Sequence, residues 1–190
     1  QRIRLTFFDL GSRLKGGKFV ISEMFIASVL KVMQNIIIKK AGVEQLNLLL
    51  EWRMMVLREV FSLPESCDTG RLRESCRAYY EKELAAGGHV ACFAWVDGLI
   101  AGCGGMCLYD EIPSPENPSG KCAYLMNIYT LPELRRHEIG RCIVDWLVAR
   151  ARERGIVKIY LESTRAGHRL YHDVGFRNMS DMLKLPGLLA

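Results

Sequence analysis

The 190-residue chain lacks the short signatures of several common cofactor and metal sites. It contains neither a G-x-G-x-x-G fingerprint nor a Walker lysine, which argues against a dinucleotide or nucleoside triphosphate site of the usual kind. Its seven cysteines form no C-x-x-C pair, and nothing near Cys103 and Cys107 completes a zinc pattern. We therefore expect no metal site, and we expect reduced, mostly buried thiols in a cytoplasmic protein.

A long apolar run and a strong overall charge are also missing. The hydrophobic content of 49% and the charged content of 25% are typical of one globular domain with its own core. The net charge is +5, and residues 1–32 carry 6 − 2 = +4 of it, which leaves +1 for residues 33–190. This near neutrality gives no general surface for nucleic acid or a membrane, so we expect neither as a partner.

Residues 1–32 differ in character from the rest of the chain. The stretch KFVISEMFIASVLKV has basic flanks like a signal peptide, but Glu23 interrupts it and no clear cleavage site follows. It is also too short to span a bilayer. Strand-like sequence begins just after Met33, so we expect an N-terminal extension of uncertain origin at 1–32 and one domain at 33–190. A native N-terminal helix is the alternative for the extension.

The domain alternates between strand and helix patterns. Apolar β-branched residues predict a strand at Asn35–Lys39, and leucines at helical spacing predict a helix at Val43–Phe61. The Asp97-Gly98 dipeptide suits a tight hairpin turn. The predicted order is β-α-α-β-β-β-α-β-α-β, an α/β protein with a mixed sheet and helices on both faces. The other predicted elements are a helix at 72–84, strands at 89–96, 99–109 and 122–130, a helix from 139 to about 154, a strand at 157–163, a short helix at 164–176 capped by Ser163 or Thr164, and a last strand at 182–185.

The segment LPELRRHEIGRCIVDWLVARARERG, residues 131–155, places a cationic loop before an amphipathic helix. The first amides of a helix have no helical partners and lie at the positive end of its dipole, so they favour a phosphate. Gly140 permits close backbone approach, and Arg135, Arg136 or Arg141 can add charge-assisted hydrogen bonds. The plainer alternative is a solvated helix start. The pattern predicts a site for an anion other than a nucleoside triphosphate.

The segments NIYTLPELRRHEIGRCIVDWLVARARERG, IYLEST and GHRLYHDVGF resemble the GNAT superfamily of N-acetyltransferases. The resemblance runs from Met33 to the C-terminus and is closest over 123–176. Family members carry Gln/Arg-x-x-Gly-x-Gly/Ala between the fourth strand and the third helix, and its main-chain amides bind the pyrophosphate of acetyl-CoA. Arg135 and Gly140 match this motif, whereas Glu138 stands at its first glycine. The resemblance implies a GNAT-like, mostly antiparallel sheet of α+β type and acetyl-CoA as co-substrate.

Glu138 adds a Cβ atom and a negative charge where the family has glycine. We expect its carboxylate to turn outward, to pair with Arg135 or Arg141, and to gain from the helix N-terminus. Binding of acetyl-CoA would then be retained but weakened.

The resemblance also implies which residues contact acetyl-CoA. In the family, the strand before the loop pairs its backbone with the pantetheine arm, as an added strand would. The amide near Ile128 would polarise the thioester carbonyl. The implied cofactor-binding residues are Ile128, Tyr129, Thr130, Arg135, Arg136, His137, Glu138, Ile139, Gly140 and Arg141.

Two residues are candidates for proton transfer. Tyr171 matches the family tyrosine in LYxxxGF, which can protonate the departing thiolate of CoA, and a core tyrosine is the alternative. Glu162, after the next predicted strand, is the best candidate for the base, with a surface role for Glu162 and solvent as base left open. His168 and His172 share a helix face but have no carboxylate ligand in view, so we expect no metal there.

Acceptor specificity is expected to come from the first two predicted helices and the loop at 110–121. The resemblance implies acetyl transfer to a primary amine of a small molecule or peptide, by direct attack in a ternary complex. A catalytically weak acyl-CoA-binding or regulatory protein remains an alternative, as does a nucleic-acid binder, which the near-neutral domain argues against. A homodimer is left open. Candidates to line a site for a cationic amine are Tyr79, Tyr80, Glu83, Asp110, Glu111 and Glu116, and His89 and His137 are expected to be exposed.

Overall fold

The structure, a computed structural model, describes residues 12–15, 18–21, 35–179, 182–183 and 185. Strands β1 (Ser12–Lys15) and β2 (Lys18–Ile21) form a separate antiparallel pair. The proposed division of the chain at residue 33 stays a prediction. The last predicted strand, at 182–185, lies partly outside the described residues.

A five-stranded mixed sheet forms the centre of the domain, and its strands lie side by side in chain order. The first four pair antiparallel, and the last is parallel to its neighbour. The predicted class and the mostly antiparallel sheet are therefore confirmed. Asp97 and Gly98 join the second and third of these strands with φ angles of 49° and 82°, as a tight hairpin turn requires. The strands are β3 (Ile36–Ala41), β4 (His89–Val96), β5 (Leu99–Asp110), β6 (Lys121–Thr130) and β7 (Lys158–Leu161).

Helices pack on both faces of this sheet. On one face Trp52 lies edge-on against Phe93 at 5.9 Å and Tyr129 at 6.2 Å. The last helix begins later than predicted, because Thr164 starts a turn in which the Gly167 N–H donates to the Thr164 carbonyl at 3.0 Å. The helices are α1 (Leu46–Val60), α2 (Gly70–Ala86), α3 (Ile139–Arg152) and α4 (His168–Val174), with a short 3-10 turn at Val43–Gln45 before α1. None of the helices in the described part of the chain has the length and apolar character needed to cross a bilayer.

Helix α3 covers the opposite face, where β5 carries glycines. A Cβ atom on Gly104 would overlap Ile143 and would lie 3.2 Å from Leu147 Cδ1. On the other face a Cβ atom on Gly105 would lie 2.7 Å from Nε2 of His89. Adjacent residues of a strand face opposite sides, so the glycine run lets both layers approach the sheet closely.

Strand β6 is irregular in its second half. Asn127 and Ile128 together lie opposite the single residue Gly104 of β5, which defines a bulge, and Asn127 has a left-handed φ of 58°. On its other side β6 pairs with β7 at four positions only, the last being Leu125 with Leu161. Beyond that pair, no described strand lies on this side of β6. The sheet therefore opens at this point.

Candidate active site

The end of β6, the start of α3 and helix α4 meet at this opening. Gly140 marks the meeting point, because a Cβ atom there would lie 3.2 Å from Leu170 Cδ2 and 3.7 Å from Thr130 Oγ1. Leu170 directly precedes Tyr171, the predicted acid. The structure thus brings the predicted cofactor strand, the predicted anion loop and the helix of the predicted acid together.

The loop at 135–141 ends in an open helix start. Arg136 and Glu138 both have left-handed φ angles, 65° and 60°. The Glu138 carbonyl accepts the Cys142 N–H at 2.9 Å, the first such bond of α3. The N–H groups of Ile139 and Gly140 precede it and have no helical acceptor. This geometry is suited to bind an anion.

Arg135 makes contacts within the protein, and its predicted binding of phosphate stays a prediction. Its Nη2 donates to Glu59 Oε1 at 2.5 Å, and its Nε donates to the Thr130 carbonyl at 3.1 Å. The guanidinium lies 5.4 Å from the Tyr129 ring centroid, and the Tyr129 hydroxyl donates to Glu59 Oε2 at 2.8 Å. Glu59 therefore fastens the loop to β6 and α1. Sequence analysis missed Glu59, because it lies 76 residues from Arg135 and carries no local signal.

Glu138 is exposed, but its predicted pairing is wrong. Arg135 pairs with Glu59, and Arg141 Nε lies 3.6 Å from Asp145 Oδ2, one helical turn away. The i,i+4 spacing on α3 gives Arg141 a closer acidic neighbour than the residue before the helix. In the described structure Glu138 takes part in no ion pair.

Tyr171 is half-buried and packs edge-on against Phe176, with ring centroids 6.0 Å apart. Its hydroxyl makes no hydrogen bond to any described residue. Burial raises the pKa of Tyr171 to about 12, and the nearby Tyr124 adds to the shift. The hydroxyl is therefore protonated at neutral pH and can donate a proton.

Glu162 follows the last residue of β7 and is exposed. Burial and then the Glu162 carboxylate raise the pKa of Tyr124, and this places Glu162 near the tyrosine that neighbours Tyr171. Glu162, Tyr171, His168 and His172 line one open cavity of about 910 Å³ along β7. The two histidine rings lie 4.6 Å apart, and the described residues contain no group of three or more metal-ligating side chains.

His89 was expected to be exposed, but only 3% of it is. Its Nδ1 lies 3.1 Å from the Tyr79 hydroxyl, and the rings of Tyr79 and Tyr80 stand edge-on to it. Burial lowers the pKa of His89 to about 4, and the charge of Arg53 lowers it further in the same direction. The expectation failed because the space over Gly105 admits the imidazole, and that space follows from strand pairing.

Two of the candidates to line a site for a cationic amine, Glu111 and Tyr80, have structural contacts. Glu111 pairs with Lys158 at 2.8 Å and accepts from Asn117 Nδ2 at 3.1 Å, so it fastens the 111–120 loop to β7. Asn117 is 1% exposed, and Tyr80 is in the core. Glu111 and Tyr80 therefore serve the fold. His137 is half-buried, not exposed as expected.

The sequence matches the model of the acetyltransferase (GNAT) family over residues 57–176, which is more than half of the chain. The chain therefore belongs to the GNAT acetyltransferase family, as the resemblance predicted. A search of curated protein sequences finds no match.

Solved structures share the fold over most of the chain. A predicted acetyltransferase from Clostridium acetobutylicum, determined with acetyl-CoA, is 26% identical, and the match covers 80% of this chain and 96% of that chain with a TM-score of 0.72. A GCN5-related N-acetyltransferase from Ralstonia eutropha JMP134 is 23% identical, with coverages of 80% and 99% and a TM-score of 0.69. Glucosamine-6-phosphate N-acetyltransferase from Arabidopsis thaliana is 17% identical, with coverages of 83% and 100% and a TM-score of 0.58.

Proposed function

We propose that this acetyltransferase transfers an acetyl group from acetyl-CoA to a primary amine by direct attack in a ternary complex. The observation that carries the proposal is the meeting of Gly140, Thr130 and Leu170 at the point where β6 and β7 separate. An open helix start, the free edge of β6 and the helix that carries Tyr171 then border one opening. The structure of the Clostridium acetobutylicum relative with acetyl-CoA supports the choice of acyl donor.

Two parts of acetyl-CoA, the pantetheine arm and the pyrophosphate, are assigned to different parts of the opening. Its pantetheine arm lies along the free edge of β6 at Ile128, Tyr129 and Thr130 and pairs with their backbone groups. Its pyrophosphate accepts hydrogen bonds from the N–H groups at the start of α3 and in the loop at 135–141. Arg135 holds this loop through Glu59, and the exposed Arg136 and Arg141 can add charge-assisted hydrogen bonds to the anion.

The amine nitrogen attacks the thioester carbonyl carbon and forms the new C–N bond. The backbone N–H near Ile128 stabilises the negative charge that develops on the carbonyl oxygen. When the C–S bond breaks, the leaving thiolate takes a proton from the Tyr171 hydroxyl, and the products are the N-acetylated amine and free CoA. The proton lost by the amine goes to Glu162 or to water in the open cavity and returns to Tyr171 by way of solvent.

The activity is assigned to a reducing compartment, in agreement with the expected cytoplasmic location. All seven cysteines are unpaired, and the thiols of Cys92 and Cys103 are buried with raised pKa values. Free thiols are usual where disulfides are kept reduced.

The test is acetyl transfer by the full chain with acetyl-CoA and a panel of primary amines, followed by thiol release and by mass spectrometry of the acetylated product. Tyr171→Phe is expected to lower kcat by about 10²- to 10⁴-fold, because the leaving thiolate loses its positioned proton donor. The dissociation constant of acetyl-CoA should stay nearly unchanged.

Tyr109→Phe is the matched control. Tyr109 lies opposite Cys122 in the β5–β6 register, and Cys122 is at the end of the β6–β7 contact that is remote from the opening. This variant should keep full turnover. Full turnover in Tyr171→Phe would show that Tyr171 is not the acid.

A further inference from the structure

Arg53 points from α1 toward the bulge of β6. Its Nη1 donates to Asn127 Oδ1 at 3.1 Å, and the side chain is half-buried. Asn127 is the left-handed bulge residue and directly precedes Ile128, whose N–H is assigned above to the thioester carbonyl. Arg53 therefore lies beside the proposed reaction centre, on the face covered by α1 and not on the α3 face.

This guanidinium has no counter-ion among the described residues. Its neighbours are neutral at pH 7, because burial lowers the pKa of His89 to about 4 and raises the pKa of Tyr79 to about 12. The nearby acidic residue is Glu83, whose charge acts to raise the pKa values of His89 and Tyr79. Its carboxylate, however, pairs with Lys82 at 2.9 Å. Holding a charge partly out of water without a partner costs free energy.

The guanidinium is also accessible. An arginine carries five N–H donors, and the only hydrogen bond that Arg53 makes within the described structure is the one to Asn127. Among the described side chains, Arg150 Nε alone is fully buried without a partner. The remaining donors of Arg53 therefore reach solvent and are free to contact a ligand.

We propose that Arg53 binds an anionic group, a carboxylate or a phosphate, on the amine acceptor. This inference rests on the proposed function and narrows it. Because Arg53 lies next to the bulge, the anion must be close to the nitrogen that is acetylated. The planar fork of donors suits carboxylate and phosphate oxygens, and a purely cationic amine such as a polyamine would be repelled.

The experiment compares pairs of acceptors with and without the anion, at a pH above the pKa of both amines so that the fraction of neutral amine is matched. One arm pairs α-amino acids with their carboxamides, and the other pairs an amino-sugar phosphate with the unphosphorylated amino sugar. In the wild-type chain, kcat/KM is expected to favour the anionic member of one pair by about tenfold to a hundredfold. The arm that shows the preference identifies the anion as carboxylate or phosphate.

Variants of Arg53 test whether this residue causes the preference for the anionic acceptor. Arg53→Gln should reduce the ratio between anionic and neutral acceptor to near one, and Arg53→Lys should restore part of it, while the KM for acetyl-CoA stays the same. A merely structural role for the bond to Asn127 would lower both rates together and leave the ratio intact. Arg77→Gln removes an equal charge from α2, where Arg77 bonds Asn47 and lies near Glu81, and should leave the ratio unchanged.

Three results would overturn the inference while leaving acetyl transfer established. They are an equal or better rate with the neutral member of both pairs, a preference that survives Arg53→Gln, and activity confined to polyamines. The wild-type comparison is decisive even if Arg53→Gln fails to fold. If acetyl-CoA is neither bound nor consumed with any amine, the proposed function itself is wrong, and this inference falls with it.

Discussion

At the scale of single residues, Glu138 combines two costs at the position where the family carries glycine. Its φ of 60° is left-handed, which costs a residue with a Cβ atom about 1–2 kcal/mol. Its carboxylate also has no ion-pair partner in the described structure and stands, exposed, at the helix start that is proposed to bind pyrophosphate. Glycine would remove both the strain and the charge.

Glu138→Gly should therefore tighten acetyl-CoA binding by a few-fold to about tenfold, where tenfold corresponds to about 1.4 kcal/mol. Glu138→Gln is the control, because it removes the charge and keeps the Cβ atom, so the two variants separate electrostatics from backbone strain. Calorimetric titration at matched salt measures the effect. Equal or weaker binding by the glycine variant would mean that the carboxylate is harmless or useful in its present position.

His89 should make stability depend on pH. Its pKa is 6.5 when unfolded and about 4 when folded, so between these values the unfolded chain binds more protons. The contribution of His89 to the free energy of unfolding should be constant above pH 6.5 and fall as the pH drops toward 4, by up to about 3 kcal/mol.

Urea unfolding at several pH values tests this, with His89→Gln as the comparison. The variant should be less stable at pH 7, since it loses the packing with Tyr79 and Tyr80, but its stability should fall less steeply below pH 6.5. Parallel pH profiles for the two proteins would contradict the assignment.

The role of a residue could be predicted from the sequence where it depends on local backbone structure. It could not be predicted where it depends on a contact with a residue far away in the chain. Gly140 and the helix start follow from local pattern. The pairing of Arg135 with Glu59 and the burial of His89 depend on contacts that form only when α1 and the sheet pack together. No periodic pattern in the local sequence indicates these contacts.

At the scale of elements, the position of α3 over the glycines of β5 fixes the cofactor loop. Gly104→Ala would force a methyl group against Ile143, with Ile128 Cδ1 at 3.1 Å and Leu147 Cδ1 at 3.2 Å as further neighbours. We expect a loss of about 1–3 kcal/mol in the free energy of unfolding, because the helix must move away from the strand.

Gly42→Ala is the matched control, because the added Cβ atom meets only the flexible end of the Glu44 side chain. It should change stability little. Thermal unfolding of the two variants decides the point, and an unchanged melting temperature in Gly104→Ala would show that α3 is not packed as closely as described.

The elements themselves were largely predictable from periodicity. The predicted helix at 72–84 lies within α2, and the strand predicted at 89–96 has the bounds of β4. The bulge at Asn127 was not predicted, since a bulge is a mismatch in pairing with β5 and leaves little trace in β6 alone. The opening between β6 and β7, on which the site depends, was not predicted either, since the resemblance implied only that the strand before the loop pairs with the pantetheine arm.

At the scale of the whole molecule, acetyl-CoA is assigned to the free edge of β6 and the start of α3, and the amine acceptor to the face covered by α1. Residues at the end of α1 contact both the cofactor loop and the α1–α2 loop. Glu59 holds the cofactor loop through Arg135, while the adjacent Arg58 donates to the carbonyls of Pro64 at 2.8 Å and Cys67 at 3.2 Å in the α1–α2 loop. The near-neutral charge of residues 33–190 agrees with small, locally recognised ligands.

The start of α3 and the free edge of β6 are proposed to bind acetyl-CoA, and calorimetric titration of the full chain with acetyl-CoA tests this binding. We predict saturable binding at one site per chain, weakened when Glu59→Gln releases Arg135 and the loop. An absence of binding heat and of any thermal shift at about 1 mM acetyl-CoA, the upper end of ordinary KM values, would contradict it.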